Sequence, residues 1–594
     1  MISTLALLGA ATLASAAPVA EAPSFDYVIV GAGTSGLVIA NRLTELADVS
    51  VAVIEAGSSV LDNVDVTGID AYGAAFDTPI DYAFATTEQT FGDGASKIMR
   101  AGKAIGGTST INGKHFMSFS MAYTRAEDVQ IDAWESLGSE NWNWKTLFPY
   151  YLKSESFETP DAGQIAKGAT FDPALHGTSG PLKVGWAQAA TMMDVEQPQI
   201  LNATYEALGI DYSIDVNGGE MTGFSLYPKT LDTELNIRHD AGRAYYYPIQ
   251  SRSNLKLFSE TTANKMVWSP AANGDAVASG VEVTDATGNT FVINANKEVI
   301  LSAGALRSPL LLEASGVGNP TILSNLGIDV VVDLPTVGEN LQDQMNSGLA
   351  GTSSANHSGN AGYVLYPTAA EVFGDDLEAA KASIDLADYA RRTSEANNGV
   401  TSAADLEKFF KMQFDLVFEK NITIAEILVT PAGDIYDIEY WALMPFSRGS
   451  IHLTSANATA AAAINPNYFM LEWDALSQGA VGKYIRKIIN TAPLSESLTS
   501  ETTPGLSVVP QNATDAQWAS WVKTSYRSNF HPVATAAMMP KEVGGVVDSN
   551  LKVYGTANVR VIDASILPFQ VCGHLVSTLY AVAERAADLI KGSL

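Results

Sequence analysis

Residues 25–30 are mostly apolar, Gly31-Ala32-Gly33-Thr34-Ser35-Gly36 follows at once, and Leu37, Ala40 and Leu43 then recur at helical spacing. The pattern predicts a strand, a tight turn and a helix. A β-branched run over residues 49–54 ends at Glu55 and completes a parallel βαβ unit. Apolar, β-rich stretches at 255–258, 277–283 and 292–301 suit further strands of the same sheet. Between about 346 and 513 the chain changes character. Amphipathic segments at 377–390 and 404–414 are followed by a strand-like stretch at 436–444, a mixture that suggests a separate lobe. Residues 575–590 keep apolar positions at helical spacing, with Glu584 and Arg585 on the opposite face, and read as a closing helix. The fold class that follows is α/β at its core and α+β overall. It comprises a Rossmann-like dinucleotide domain, built from separated stretches of chain, and a second domain of mixed sheet and helices.

Composition narrows the picture. A chain of 594 residues exceeds what one ordinary core supports, in keeping with two domains. Hydrophobic residues at 46% and charged residues at 17% place it among ordered globular proteins. Lys plus Arg number 35 against 65 Asp plus Glu, a formal charge of −30. Such a surface repels phosphate backbones and anionic lipid, so neither nucleic acid nor a membrane is expected as a partner. Residues 1–16 carry an apolar run over 5–13 and then Ala14-Ser15-Ala16, too short to span a bilayer but suited to a signal peptidase. A secreted protein is expected. Cys572 is the only cysteine, so no intramolecular disulfide can form. Asn-x-Ser/Thr triplets at Asn202, Asn356, Asn421, Asn457 and Asn512 suit N-glycosylation on that route.

Glycine clusters often serve only to turn the chain. Here a strand precedes, a helix follows, and Glu55 lies 19 positions beyond Gly36. Glycines at this spacing let backbone approach a pyrophosphate, the helix start offers unpaired N–H groups, and an acidic residue at the next strand end reaches a ribose. Gly31, Gly33, Thr34, Ser35, Gly36 and Glu55 are therefore candidate cofactor residues, although the spacing alone does not choose FAD over NAD. No His-x-x-x-His or Cys-x-x-Cys spacing occurs, and no metal is expected. A Gly-x-Ser-x-Gly elbow in a strand-turn-helix setting is also absent.

Several separated motifs together resemble the glucose-methanol-choline (GMC) oxidoreductases over nearly the whole chain. They are the glycine turn with Glu55-Ala56-Gly57, the run Gly102 through Asn112, and Gly304-Ala305-Leu306-Arg307-Ser308-Pro309 continuing to Ser315-Gly316-Val317-Gly318. Gly338-Glu339-Asn340-Leu341-Gln342-Asp343 and Val561-Ile562-Asp563-Ala564-Ser565 are similar to family stretches near the flavin. The resemblance implies FAD as cofactor. It implies that Gly107, Thr108, Ser109 and Asn112 run beside the flavin ring, that Asp563 holds the ribityl chain and that the backbone of Ala263 meets the adenine. It further implies an FAD-binding domain over 24–150, 226–345 and 532–594 and a substrate-binding domain over 151–225 and 346–531. One departure is the interposed stretch 114–120, seven residues that the family spacing lacks.

Oxidising an alcohol by hydride transfer needs a base for the hydroxyl proton and an acceptor for the hydride, and histidine suits the first task near neutral pH. Of seven histidines, two sit in motif context, His531 in Asn529-Phe530-His531-Pro532 and His574 in Cys572-Gly573-His574-Leu575. The resemblance makes His531 the general base and His574 its partner. Arg527 and Asn529 look like the sugar-reading stretch of glucose-oxidising members, and Glu439 and Tyr72 resemble positions that complete the sugar pocket in fungal FAD-dependent glucose dehydrogenases. The expected reaction is oxidation of β-D-glucose at its anomeric carbon to glucono-1,5-lactone, with electrons passed to a quinone or dye. Two alternatives stay open, an oxidase that reduces oxygen and a non-redox lyase of the same fold.

Overall fold

The computed structural model describes residues 22–69, 73–113, 121–270, 274–359 and 362–593. The expected leader over 1–16, Tyr72 and the interposed stretch 114–120 lie outside them.

Two sheets organise the chain. The first has seven strands, in the spatial order Leu255–Phe258, Val51–Ile54, Ser24–Val30, Thr290–Leu301, Ala278–Thr284 and Thr262–Trp268, with Val559–Val561 pairing Thr290–Leu301. Its centre is parallel: Val28 lies opposite Ala52 on one side and Val299 on the other. Val28, Ile29, Val53, Val299 and Ile300 are fully buried, which is why these strands read as continuous apolar runs rather than alternating ones. The helix Thr34–Leu43 crosses between the first two strands, and the last helix, Leu575–Gly592, packs against it, with Arg42 paired to the buried Glu584.

The second sheet is antiparallel. It runs Leu498–Thr503, Met345–His357, Ala425–Ala442, Tyr363–Tyr366 and Gly223–Leu226, with Arg527–Ser528 pairing the start of Met345–His357. Helices Ala403–Phe418 and Glu472–Ile489 belong to the same half. The amphipathic stretch 377–390 is not one helix. It breaks into Leu377–Ala382 and Leu386–Ala396 because the Asp385 side chain accepts from the Asp388 N–H and caps a new start. Among the described residues no helix is long and apolar enough to cross a membrane.

Candidate active site

One long cavity runs along the carboxyl ends of the parallel strands, the usual ligand position in an open α/β sheet, and continues to the antiparallel sheet, where Leu428, Glu439 and Trp441 of its central strand line it. Its first half is the glycine turn. Gly31 has φ +106°, and a Cβ there would meet the Ser302 carbonyl oxygen at 2.3 Å. Gly33 is the opposite case: a Cβ would touch nothing closer than 3.8 Å, so its face is open to the cavity. The helix Thr34–Leu43 starts at Gly33 with no side-chain cap, leaving its first N–H groups for a ligand. Beside it the hydroxyls of Ser35 and Ser302, both on residues that line the cavity, are buried without a partner among the described residues.

Glu55 reaches the same turn from the end of Val51–Ile54. It accepts from the N–H groups of Ala32 at 2.9 Å and Gly57 at 2.8 Å. Burial pushes its carboxyl up to about 7, against the pull of those N–H groups. Two carboxylate oxygens offer about four acceptor positions, so room remains for a ribose hydroxyl. Gly107, Thr108, Ser109 and Asn112 line the next stretch, and Ala263 lines the cavity with Thr262. Two of these hydroxyl and amide groups are already engaged. Ser109 Oγ donates to the Gly106 carbonyl at 2.6 Å and accepts from the Ala241 N–H at 2.9 Å, while Asn112 bonds Arg238 through its carbonyl and side-chain oxygens. Asp563 also lines the cavity, but its carboxylate already accepts from the Gly304 and Ser565 N–H groups and from the hydroxyls of Ser308 and Ser565. It pins the Gly304 turn, and its contribution to a ligand passes through that backbone. An uncapped helix start, orphaned hydroxyls, an open glycine face and an acidic residue at the strand end fit a dinucleotide such as FAD.

The far end holds the histidines. Arg527–Ser528 pairs antiparallel with Met345 and Asn346, which sets Gln344 beside Asn529 and His531. His531 is held by its backbone, the N–H donating to Asp343 Oδ1 at 2.9 Å and the carbonyl accepting from Gln570 Nε2 at 2.6 Å. Asp343 is tied in turn to the Ser528 hydroxyl at 2.5 Å and to Tyr468. The His531 ring places Nδ1 2.9 Å from Gln344 Oε1 and 3.0 Å from Asn529 Nδ2; Nε2 bonds none of the described residues. Burial first, then His574 and Arg527, push this imidazole down to about 3, so the ring is neutral and available as a proton acceptor.

His574 stands at the start of Leu575–Gly592, and its N–H donates to Thr124 Oγ1 at 2.9 Å. Its Nε2 is 2.7 Å from Glu426 Oε1. The two imidazoles lie 5.7 Å apart edge to face, and Trp441 meets both edge to face at 6.3 and 6.0 Å. Arg527 and Glu439 form an ion pair at 2.8 Å on the same wall, and the guanidinium lies over the Phe530 ring. Asn529 lines the cavity, yet its amide oxygen accepts from Asn346 Nδ2 and its Nδ2 donates to Gln344 Oε1.

The cavity therefore brings His531, His574, Glu439, Arg527 and Asn529 to one end of the groove lined by Gly31, Gly33, Thr34, Ser35 and Glu55. Gly36 instead packs the helix on the turn, where a Cβ would meet the Gly31 carbonyl at 2.1 Å. Glu339 does not join the site, because it pairs with His452 Nε2 at 3.0 Å. Glu426, Trp441 and Gln344 are site residues that the sequence reading missed. Trp441 stands two places after Glu439 on one strand, hence on the same face, and a lone acid in the apolar run Ala425-Glu426-Ile427-Leu428 is itself a signal.

Two GMC oxidoreductase family models match this chain, over residues 25–346 and 445–583. A glucose oxidase-like protein of Humicola fuscoatra, fsoC, is 43% identical over 575 residues, covering 96% of each chain. Glucose oxidase of Aspergillus carbonarius is 36% identical, over 95% of this chain and 92% of that protein. Among solved structures, an FAD-dependent oxidoreductase from Chaetomium thermophilum superimposes with a TM-score of 0.86 at 27% identity, over 96% of this chain and 99% of that one.

Proposed function

The chain belongs to the GMC oxidoreductase family, and from that premise we propose that it oxidises a sugar, β-D-glucose at its anomeric carbon, with molecular oxygen as the electron acceptor. FAD as cofactor and a CH–OH group as donor come with the family. The sugar and the acceptor are the proposed part. The observation that carries it is the continuity of one cavity, in which a nucleotide cradle ends at a neutral, partly free imidazole facing an Arg–Glu ion pair.

Each residue has a task in this reading. Gly33 and the uncapped helix start hold the pyrophosphate, and Glu55 a ribose. His531 Nε2 takes the hydroxyl proton of the substrate. His574, steadied by Glu426, supplies its other ring nitrogen to the same oxygen. Arg527 and Glu439 present planar donors and acceptors to neighbouring hydroxyls, which suits a sugar better than an aryl alcohol. Trp441 adds an apolar wall beside both imidazoles. Bound FAD supplies the hydride acceptor.

Oxygen is favoured over the quinone or dye of the sequence reading by the glucose oxidase named among the relatives. Secretion with N-glycans is part of the same reading, supported by the exposure of all five sequon asparagines. The test is product analysis with β-D-glucose in air. The proposal predicts gluconolactone or its acid together with one equivalent of hydrogen peroxide. Turnover only when a quinone is added would overturn the acceptor, and no oxidised sugar with either acceptor would overturn the substrate.

A further inference from the structure

We propose that Gln344 makes His531 a base by fixing which of its two ring nitrogens carries the proton. This rests on the reading of His531 as the proton acceptor, and it assigns a positioning role to a residue that reading leaves out.

A neutral imidazole has one N–H and one bare nitrogen, and only the bare one takes a proton. The nitrogen that faces the cavity, Nε2, must therefore be the bare one, with the hydrogen on Nδ1. The neighbours of Nδ1 give opposite instructions. Gln344 Oε1, at 2.9 Å, can only accept, whereas Asn529 Nδ2, at 3.0 Å, can only donate. The first demands Nδ1–H and the second a bare Nδ1.

The surrounding amides decide between them. Gln344 Nε2 donates to the Leu443 carbonyl at 3.2 Å, so turning this amide over would set two oxygens against each other. Asn346 gives Nδ2 to Asn529 Oδ1 at 3.0 Å. Asn529 thus presents its oxygen to Asn346 and its amino group to the histidine side. That amino group has an acceptor of its own, Gln344 Oε1 at 3.1 Å. With the hydrogen on Nδ1, that N–H and the Asn529 N–H converge on the two lone pairs of Gln344 Oε1, at the cost of two donors standing side by side at 3.0 Å. In the other tautomer a carbonyl oxygen and a bare nitrogen would stand 2.9 Å apart with no hydrogen between them. Gln344 is fully buried and Asn529 nearly so, and water is not at hand to relieve that contact.

The consequence is chemical. With bound FAD supplying the hydride acceptor, the proton of the substrate hydroxyl would enter the Nε2 lone pair. The imidazolium so formed keeps Nδ1–H on the same acceptor, and no proton has to be rearranged. Replace Gln344 by an apolar residue and Asn529 becomes the partner of Nδ1. The ring then turns Nε2–H toward the substrate and can no longer accept.

Nitrogen NMR of the oxidised, FAD-loaded protein labelled with ¹⁵N-histidine reads this directly, with the His531 signals assigned by their loss in His531→Asn. Wild type should display a protonated Nδ1 and a bare Nε2. Gln344→Leu should reverse the pattern, keep FAD, and slow flavin reduction by substrate at least about a hundredfold, the usual worth of a general base. Gln344→Glu restores an acceptor; it should keep the wild-type pattern, recover most of the rate, and move the acid limb of the reduction rate upward in pH because a carboxylate now faces the ring. A wild-type ring protonated at Nε2 overturns the proposal, as does a Gln344→Leu protein that keeps Nδ1–H and its rate. The wild-type and Gln344→Glu spectra decide the matter even if Gln344→Leu does not fold. If the nitrogen pattern is as stated but glucose does not reduce the flavin, Gln344 keeps its role and only the sugar reading falls.

Discussion

His531 combines two properties that seldom coincide in an exposed histidine: it is neutral well below the ordinary imidazole range, and its backbone is clamped at both ends by Asp343 and Gln570. Clamping fixes the ring relative to a substrate, and burial keeps it unprotonated. His531→Ala should bind FAD normally yet slow its reduction by at least about a hundredfold, because the general base is lost while the nucleotide cradle is untouched. Reduction at a near-normal rate would refute the role. Since the folded ring is protonated only toward pH 3, the acid limb of kcat/KM in the free enzyme should fall far below that of an ordinary histidine. Asn529 illustrates how residue type can mislead. Its amide suits a sugar hydroxyl, but the structure engages it with Asn346 and Gln344, so its first effect is on the histidine beside it.

At the scale of elements, the βαβ unit works because its three glycines do different things. Gly31 and Gly36 are needed for packing, with a Cβ at either meeting a carbonyl oxygen within 2.3 Å, whereas Gly33 borders open space. Gly33→Val should therefore fold, with an unchanged circular dichroism spectrum, but purify without most of its flavin. A fully yellow Gly33→Val protein would contradict the cradle. This unit was legible in the sequence because buried parallel strands leave continuous apolar runs and the turn leaves its glycines in order. The catalytic end was less legible. His531 and His574 are reached through motifs, whereas Gln344 and Trp441 come to the site through strand pairing between stretches more than eighty residues apart, and Glu426 sits where its strand pairs with Tyr363–Tyr366, registers that no local pattern encodes. The broken helix at Asp385 has a similar cause, since amphipathic spacing continues across a cap that only the side-chain hydrogen bond reveals.

Across the whole molecule, the cavity spans two sheets, so it depends on whatever keeps them together. His452 is a tie between elements around them. Its Nδ1 meets Glu313 at 2.7 Å and its Nε2 meets Glu339 at 3.0 Å, joining the strand Ser450–His452 to the helix Ser308–Ala314 and to the 334–343 stretch. Against the downward pull of burial, the two carboxylates hold this imidazole up at about 10, from an ordinary 6.5. A raised folded value means that the stabilisation is complete below the ordinary value and is lost as pH climbs through about 10. His452→Gln should then cost about 3–5 kcal/mol near neutral pH, the usual cost of leaving buried charge unpaired. The gap in melting temperature from wild type should close as pH approaches the raised value, and a gap independent of pH would argue against the clamp.

The central claim joins the two ends of the cavity: flavin at one, a sugar and a histidine base at the other. Anaerobic addition of β-D-glucose to the purified yellow protein, followed by its visible spectrum, tests that junction with no acceptor to confuse it. The account predicts that the oxidised-flavin absorbance bleaches on mixing. A spectrum that stays that of oxidised flavin would contradict it.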